Sequence, residues 1–334
     1  MGIAVPNSWK FLIKVLVYTI LSRLSSFSHL FPKIEDTLCL ALFLTKGFLF
    51  ELLTYLGRLN LSEKRASNID RDLDDEVARL EFQAIAFRRI IENEIGSLNL
   101  EQGMSVLDAG CGTGAVSRTL ARIVSPGTVT AIDINDQLID RARKFAIEEG
   151  IDNIRFESGD VRNLGFSDAS FDVAYCRIVL MAVSNPVEAA SELKRVTRSG
   201  GQVLVSDIDD DFMLVYPPIP TIMEIWRKYG KVAMDEGRDR YIGRKLFSIL
   251  SQAGLKSVKV TSTVLHATQD SPEELRMLSS VPIRLMERAK GPWMEKGIVA
   301  SAEYEAAMTE YNEFLNHPGA FLMMGTLFAI GTVP

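Results

Sequence analysis

Cysteine is scarce in this chain of 334 residues. Cys39, Cys111 and Cys176 are odd in number, far apart, and form no Cys-x-x-Cys pair. That excludes a disulfide framework and a structural zinc site and points to a reducing compartment. Histidine is equally rare: His29 sits in the N-terminal segment, His317 precedes a proline, and His266 is the one within the central part of the chain. A basic excess is also missing. The formal net charge is -6, so the basic face of a dedicated nucleic-acid binder is not expected. No internal repeat or low-complexity tract is present.

Long uncharged hydrophobic runs are missing too. Residues 11 to 22 are apolar apart from Lys14, too short to span a bilayer comfortably, and residues 38 to 56 carry Lys46 and Glu51 near the middle. The Ser-rich stretch at 22 to 28 offers no small-x-small cleavage site, and Pro6 spoils a myristoylation signal at Gly2. Residues 1 to 60 carry six basic and three acidic side chains, leaving an excess of nine acids elsewhere. Three readings stay open for this segment: a helical cap, membrane-surface contact through residues 1 to 60, and a true span.

What the chain does have is a strand-turn-helix pattern at Val106-Leu-Asp-Ala-Gly-Cys-Gly-Thr-Gly-Ala-Val-Ser-Arg-Thr-Leu-Ala121. An apolar run passes through Gly110, Gly112 and Gly114 and resumes at helical spacing with Val116, Leu120 and Ile123. Glycines let the backbone turn sharply and let a ligand approach, and the helix start presents free N–H groups. A second apolar run, Val129 to Asp133, ends in an acid 19 residues after Gly114; at the tip of a second parallel strand an acid is placed to bond a ribose diol. Strand edges follow at Phe156-Glu-Ser-Gly-Asp160 and Phe171-Asp-Val-Ala-Tyr175.

These pieces, in this order, resemble the class I S-adenosylmethionine-dependent methyltransferases over about residues 75 to 265. The ubiquinone/menaquinone-biosynthesis type is the most similar, in the core only. The resemblance implies a Rossmann-like, doubly wound α/β sheet with an antiparallel last strand, and S-adenosyl-L-methionine as cofactor. It matches Asp108, Gly110, Gly112 and Gly114 to the glycine-rich motif, Asp133 with Ile134 to the ribose-binding acid and its neighbour, and Asp160 with Val161 to the adenine-binding pair. Arg195 to Gly201 resembles the turn into strand five. Arg79-Leu80-x-x-Gln83 resembles the helix that covers the cofactor, so Gln83 is a cofactor-side candidate. Arg177, just after strand four, should face the ligand crevice as a cofactor-binding or substrate-facing residue. Cys176 beside it reads as a small buried residue rather than a nucleophile.

Two rival functions fit part of this pattern. A nicotinamide dinucleotide site would accept Gly110-x-Gly112-x-x-Ala115 and Asp133 and would make the chain an oxidoreductase. Against it, Asp108 would meet a pyrophosphate with like charge but would attract a methionine ammonium. The other rival is a non-catalytic S-adenosylmethionine-binding regulator or scaffold.

Asp/Asn-Pro-Pro-Tyr/Phe, which base- and glutamine-methylating relatives carry after strand four, is replaced here by Tyr175-Cys-Arg-Ile. The Pro-Cys nucleophile of cytosine-C5 enzymes is missing as well. The acceptor is therefore expected to be a small molecule, with a lipophilic one suggested by the N-terminal segment and the apolar insertions. If it needs a general base, Asp207 and Asp209 after strand five and His266 at the end of strand six are the candidates. The expected organisation is a hydrophobic helical extension over 1–66 and a methyltransferase domain over 67–334, with lid insertions at about 209–238 and 270–318. The second insertion should be at least two helices, broken at Gly291-Pro292. The expected location is the cytoplasm, with or without membrane contact; oligomeric state stays open.

Overall fold

Parallel strands buried on both faces read as continuous apolar runs, and β1 (Ser105–Ala109), with Val106 and Leu107 wholly buried, is such a strand. The computed structural model describes residues 68–334, so the extension expected over 1–66 lies outside the described residues. Two helices, α1 (Asn68–Ala86) and α2 (Arg88–Gly96), lead into β1. The break between them falls at Phe87, whose ring is buried.

From there strands and helices alternate: α3 (Ala115–Val124), β2 (Thr128–Asp133), α4 (Asp136–Glu148), β3 (Ile154–Ser158), β4 (Phe171–Arg177), α5 (Pro186–Val196) and β5 (Thr197–Asp207). Their starts are marked locally. Asn135 accepts hydrogen bonds from the amides of Gln137 and Leu138 to open α4, and Asn185 accepts from Glu188, with Pro186 in the first helical turn, to open α5. The chain ends with β6 (Met213–Tyr216), α6 (Pro220–Asp235), α7 (Leu246–Gln252), β7 (Lys256–Thr268), α8 (Pro272–Glu295), α9 (Ser301–Asn316) and β8 (Phe321–Thr332).

The sheet order is β3-β2-β1-β4-β5-β8-β6, with β7 on the other edge of β8. Strands β1 to β5 are parallel, and β8 runs antiparallel to β5, β6 and β7. The doubly wound sheet and the antiparallel last strand are thus as expected. Ala109, Asp133, Arg177 and Asp207 end their strands on one edge, the edge where open α/β sheets bind ligands. Helices α5 and α7 pack on one face, α2, α3 and α4 on the other. A third apolar cluster joins α6, α8 and α9 over the β6–β8 end.

Both stretches expected as lids are built as elements: the first holds β6 and α6, the second α8 and α9. Strand β6 was not anticipated; Met213 to Tyr216 pair with Met324 to Phe321. The expected break at Gly291-Pro292 is corrected: α8 runs through Pro282 and Pro292. Met286 and Trp293, buried on either side of Gly291, hold it against α6 and α9. The stop comes six residues later, where Gly297 N–H bonds Met294 and Ile298 N–H bonds Trp293, a pair of bonds that closes a helix C-terminus. Helix α7 begins only at Leu246, because Arg240 and Arg244 are tied to the Asp209–Asp211 loop and Gly243 N–H bonds Ile208. Among the described residues no helix is long and apolar enough to cross a membrane.

Candidate active site

A cavity of about 1040 Å³ follows the carboxyl edge of the sheet. Residues of α1 (Glu76, Arg79, Leu80, Gln83), α6 (Trp226, Tyr229) and α8 (Val281 to Trp293) enclose it from above. Its floor changes character along the sheet.

Over β1 to β3 the floor is acidic. After Asp108 the backbone turns away at Gly110, φ 82°, where a Cβ would lie 2.1 Å from Val179 Cγ2. A side chain there is excluded both by conformation and by space. Gly114, also left-handed, is the N-cap of α3, and a Cβ on it would press on the Phe156 ring at 2.9 Å. Gly114 therefore shapes the turn and does not line the cavity; Gly110 and Gly112 do.

Asp108 is buried and accepts a hydrogen bond from Ser117 Oγ at 2.5 Å. Burial pushes its carboxyl up to about 7, helped by the negative charge of Asp133, while the Ser117 hydrogen bond and the charge of Arg177 pull the other way. Asp133 is fixed by two amides: Gly112 N donates to Oδ2 at 2.8 Å and Asn135 N to Oδ1 at 2.9 Å. Each oxygen keeps a lone pair for a further donor. Ile134 beside it is an exposed apolar side chain on the cavity wall. Asp160 turns back onto Arg162, whose Nη2 lies 2.5 Å from Oδ2, and this hydrogen bond holds its carboxyl below the usual range. Val161 and Gln83 also line the cavity, and Gln83 Oε1 accepts from Arg79 Nη1 at 2.9 Å.

Over β4 to β6 the lining carries cations and rings. Arg177 leaves the end of β4, lies 5.7 Å from the centre of the Phe87 ring, and donates from Nε to Glu94 Oε2 at 3.2 Å. Arg240 is clamped to Asp210, 2.5 Å from Nε to Oδ2 and 2.7 Å from Nη2 to Oδ1. Its guanidinium lies 4.8 Å from the Trp226 ring centre and 4.7 Å from that of Tyr229. Trp226 and Trp293 both pack in the helical core and reach the cavity, whereas Met223 and Met286 serve the core alone.

The three candidate bases are dispersed. Asp209 reaches the cavity wall, but Arg244 occupies both its oxygens at 2.6 and 2.5 Å. Asp207 is wholly buried, lies outside the cavity lining, and accepts from the amides of Met181 and Ile208. Burial pushes its carboxyl up to about 7, against the pull of those two amides. His266 is exposed on β7 and does not reach the cavity. Burial drives the Cys176 thiol well above its ordinary range, which suits an inert core residue.

Glu94 was not foreseen. It is wholly buried, and four donors converge on it: the Tyr175 hydroxyl, Ser206 Oγ at 2.5 Å, Thr326 Oγ1 at 3.3 Å and Arg177 Nε. The signal was in the sequence. Ile90, Ile91, Glu94 and Ile95 share one helical stripe, so the acid had to enter the core with partners.

Residues 100–254 match a family model described as a methyltransferase domain. A ubiquinone/menaquinone biosynthesis C-methyltransferase of Bdellovibrio bacteriovorus is 40% identical over 103 residues, 31% of this chain and 43% of that protein. An uncharacterized 37.1 kDa protein of a Streptomyces fradiae transposon is 34% identical over 185 residues, 54% of this chain and 52% of that protein. The chain thus spans about half the length of these relatives. Among solved structures, a phosphoethanolamine N-methyltransferase 2 of Haemonchus contortus shares the fold, with a TM-score of 0.51 at 15% identity, covering 80% of this chain and 59% of that one. Over residues 100–254 the chain is thus similar to S-adenosylmethionine-dependent methyltransferases of class I.

Proposed function

We propose that this protein transfers a methyl group from S-adenosyl-L-methionine to a small, lipophilic metabolite. The observation that carries the cofactor is the trio Asp108, Asp133 and Asp160 facing one cavity across a glycine turn. A nucleoside with a cationic amino-acid tail suits it: Asp133 has lone pairs for a ribose diol, Asp108 suits an ammonium, and Asp160 with Val161 suits an adenine edge. A dinucleotide suits it poorly, because its pyrophosphate would face Asp108.

The bound cofactor would supply a sulfonium methyl with a good leaving group, so the protein's task is alignment and exclusion of water. Helices α1, α6 and α8 serve that task by covering the edge. At about 1040 Å³ the cavity reaches the upper end of ligand pockets, about 300–1,000 Å³. That leaves room for an acceptor over β4 to β6, between Arg177 and the Trp226–Tyr229–Trp293 wall. Lipophilic acceptors are supported by those rings and by similarity to proteins named for quinone biosynthesis and for sterol C24 methylation. Asp209 is bound to Arg244, and Asp207 and His266 lie away from the cavity. We therefore assign no general base and expect an acceptor that is already nucleophilic. The domain division at residue 67, the lid role of 209–238 and 270–318, a cytoplasmic location and membrane-surface contact through residues 1 to 60 belong to the same proposal.

Incubation with S-adenosylmethionine and a panel of quinols, phenols and lipid-like acids tests it. Acceptor-dependent release of S-adenosylhomocysteine is expected. Tight cofactor binding with no release for any acceptor, under conditions that turn over a control methyltransferase, would instead support a regulator or scaffold.

A further inference from the structure

Arg177 has a nitrogen to spare. Its side chain is only 10% exposed, and Nε is spent on Glu94, yet Nη2 is buried without a hydrogen-bond partner among the described residues. A buried guanidinium N–H left unpaired is costly, and such donors are retained where a ligand completes them.

Its place in the sheet indicates whose oxygen that is. The acids suited to the nucleoside and its amino-acid tail stand on β1, β2 and after β3; Arg177 stands on β4, the first strand of the other half. The wall beyond it is Phe87 from the α1–α2 turn and Met324, Gly325 and Thr326 from β8, mostly apolar. The guanidinium is also prevented from turning away. Glu94 holds Nε, and the Tyr175, Ser206 and Thr326 hydroxyls in turn hold Glu94 from three strands.

We propose that Arg177 Nη2 is the docking point for an anionic oxygen, a carboxylate or phenolate, on the lipophilic acceptor, and that Glu94 is its positioning residue. This rests on the methyltransferase reading above. The acceptor's charged oxygen anchors at β4 while its apolar body lies toward Phe87 and Met324. The guanidinium hydrogen-bonds the anion in a fixed direction, which a lysine would not reproduce. A carboxylate of the cofactor's own amino-acid tail has the same chemistry, and the test separates the two.

The full chain, saturated with S-adenosylhomocysteine, is titrated by calorimetry with octanoate and with octan-1-ol, which share the apolar body and differ in the charged oxygen. Octanoate should bind at least about 10-fold more tightly. Arg177→Met and Arg177→Lys should bring that preference to within about 2-fold, with S-adenosylhomocysteine affinity kept within about 3-fold. Glu94→Gln should cut the preference several-fold while leaving octanol affinity unchanged, a split that general loosening of the fold would not produce. Arg177→Lys keeps a cation beside Glu94, so it remains informative if the Met variant misfolds.

Three results overturn the inference while leaving the methyltransferase reading in place. One is a wild type without the octanoate preference, and another is a preference that survives in both Arg177 variants. The third is a loss of 10-fold or more in S-adenosylhomocysteine affinity with unchanged binding of 5′-methylthioadenosine, which lacks the amino-acid tail; that would assign the guanidinium to the cofactor. A wild type that binds no S-adenosylhomocysteine would overturn the methyltransferase reading itself, and this step with it, before any octanoate is added.

Discussion

Asp108 titrates where most carboxylates are long ionised. Its carboxyl moves from 3.8 to about 7 because burial disfavours the charge. An acid whose folded pKa lies above its unfolded one binds more protons when folded. The unliganded protein therefore loses stability from this group as pH rises from about 4 to about 7, and nothing further above that. Asp207, also raised to about 7 by burial, acts in the same window and direction. Cofactor binding should show the opposite trend, because a ligand ammonium favours the ionised form of Asp108. Affinity for S-adenosylhomocysteine should tighten about 10-fold from pH 6 to pH 8, as one pKa unit allows. Asp108→Asn should bind weakly at both values with a flat profile. Calorimetry at several pH values checks this; a flat wild-type profile would remove Asp108 from contact with the ammonium. Of the thirteen residues singled out from sequence, ten line one cavity. The strand-end acids were legible because short parallel strands place their last residues on one edge. His266 was not, since periodicity across a long strand with exposed residues on both faces does not show which way the ring points.

At the scale of elements, the alternating half was readable and the insertions less so. Helix α8 was misread at Pro292, because tertiary burial of Met286 and Trp293 outweighs a local breaker. Strand β6 was hidden because pairing to β8 is a long-range fact. The element that ties α6 to the strand edge is the Arg240–Asp210 pair, with side chains only 6% and 8% exposed. Burial raises the Asp210 carboxyl and Arg240 draws it back down. Arg240→Met leaves that carboxylate buried and unpaired and takes the cation off Trp226 and Tyr229. We expect a loss of about 3 kcal/mol and a Tm lower by roughly 6–12 °C. Arg240→Met combined with Asp210→Asn should recover part of it. A Tm unchanged within 1–2 °C in thermal unfolding, well inside the smallest expected shift, would show that the clamp contributes little.

The whole molecule is an acidic chain of net charge -6 whose cavity is divided between an acidic half and a half of rings and paired cations. On the proposed reading this division puts the nucleoside over β1–β3 and the acceptor over β4–β6. Its most direct test is calorimetric titration of the purified full chain with S-adenosylmethionine and, separately, with a reduced nicotinamide dinucleotide. Micromolar binding of the first and no binding of the second are expected, with a loss of at least about 10-fold in affinity on Asp133→Ala, as where hydrogen bonds to a charged group are removed. Binding of the dinucleotide alone would contradict it and make the acidic half the site of a different cofactor.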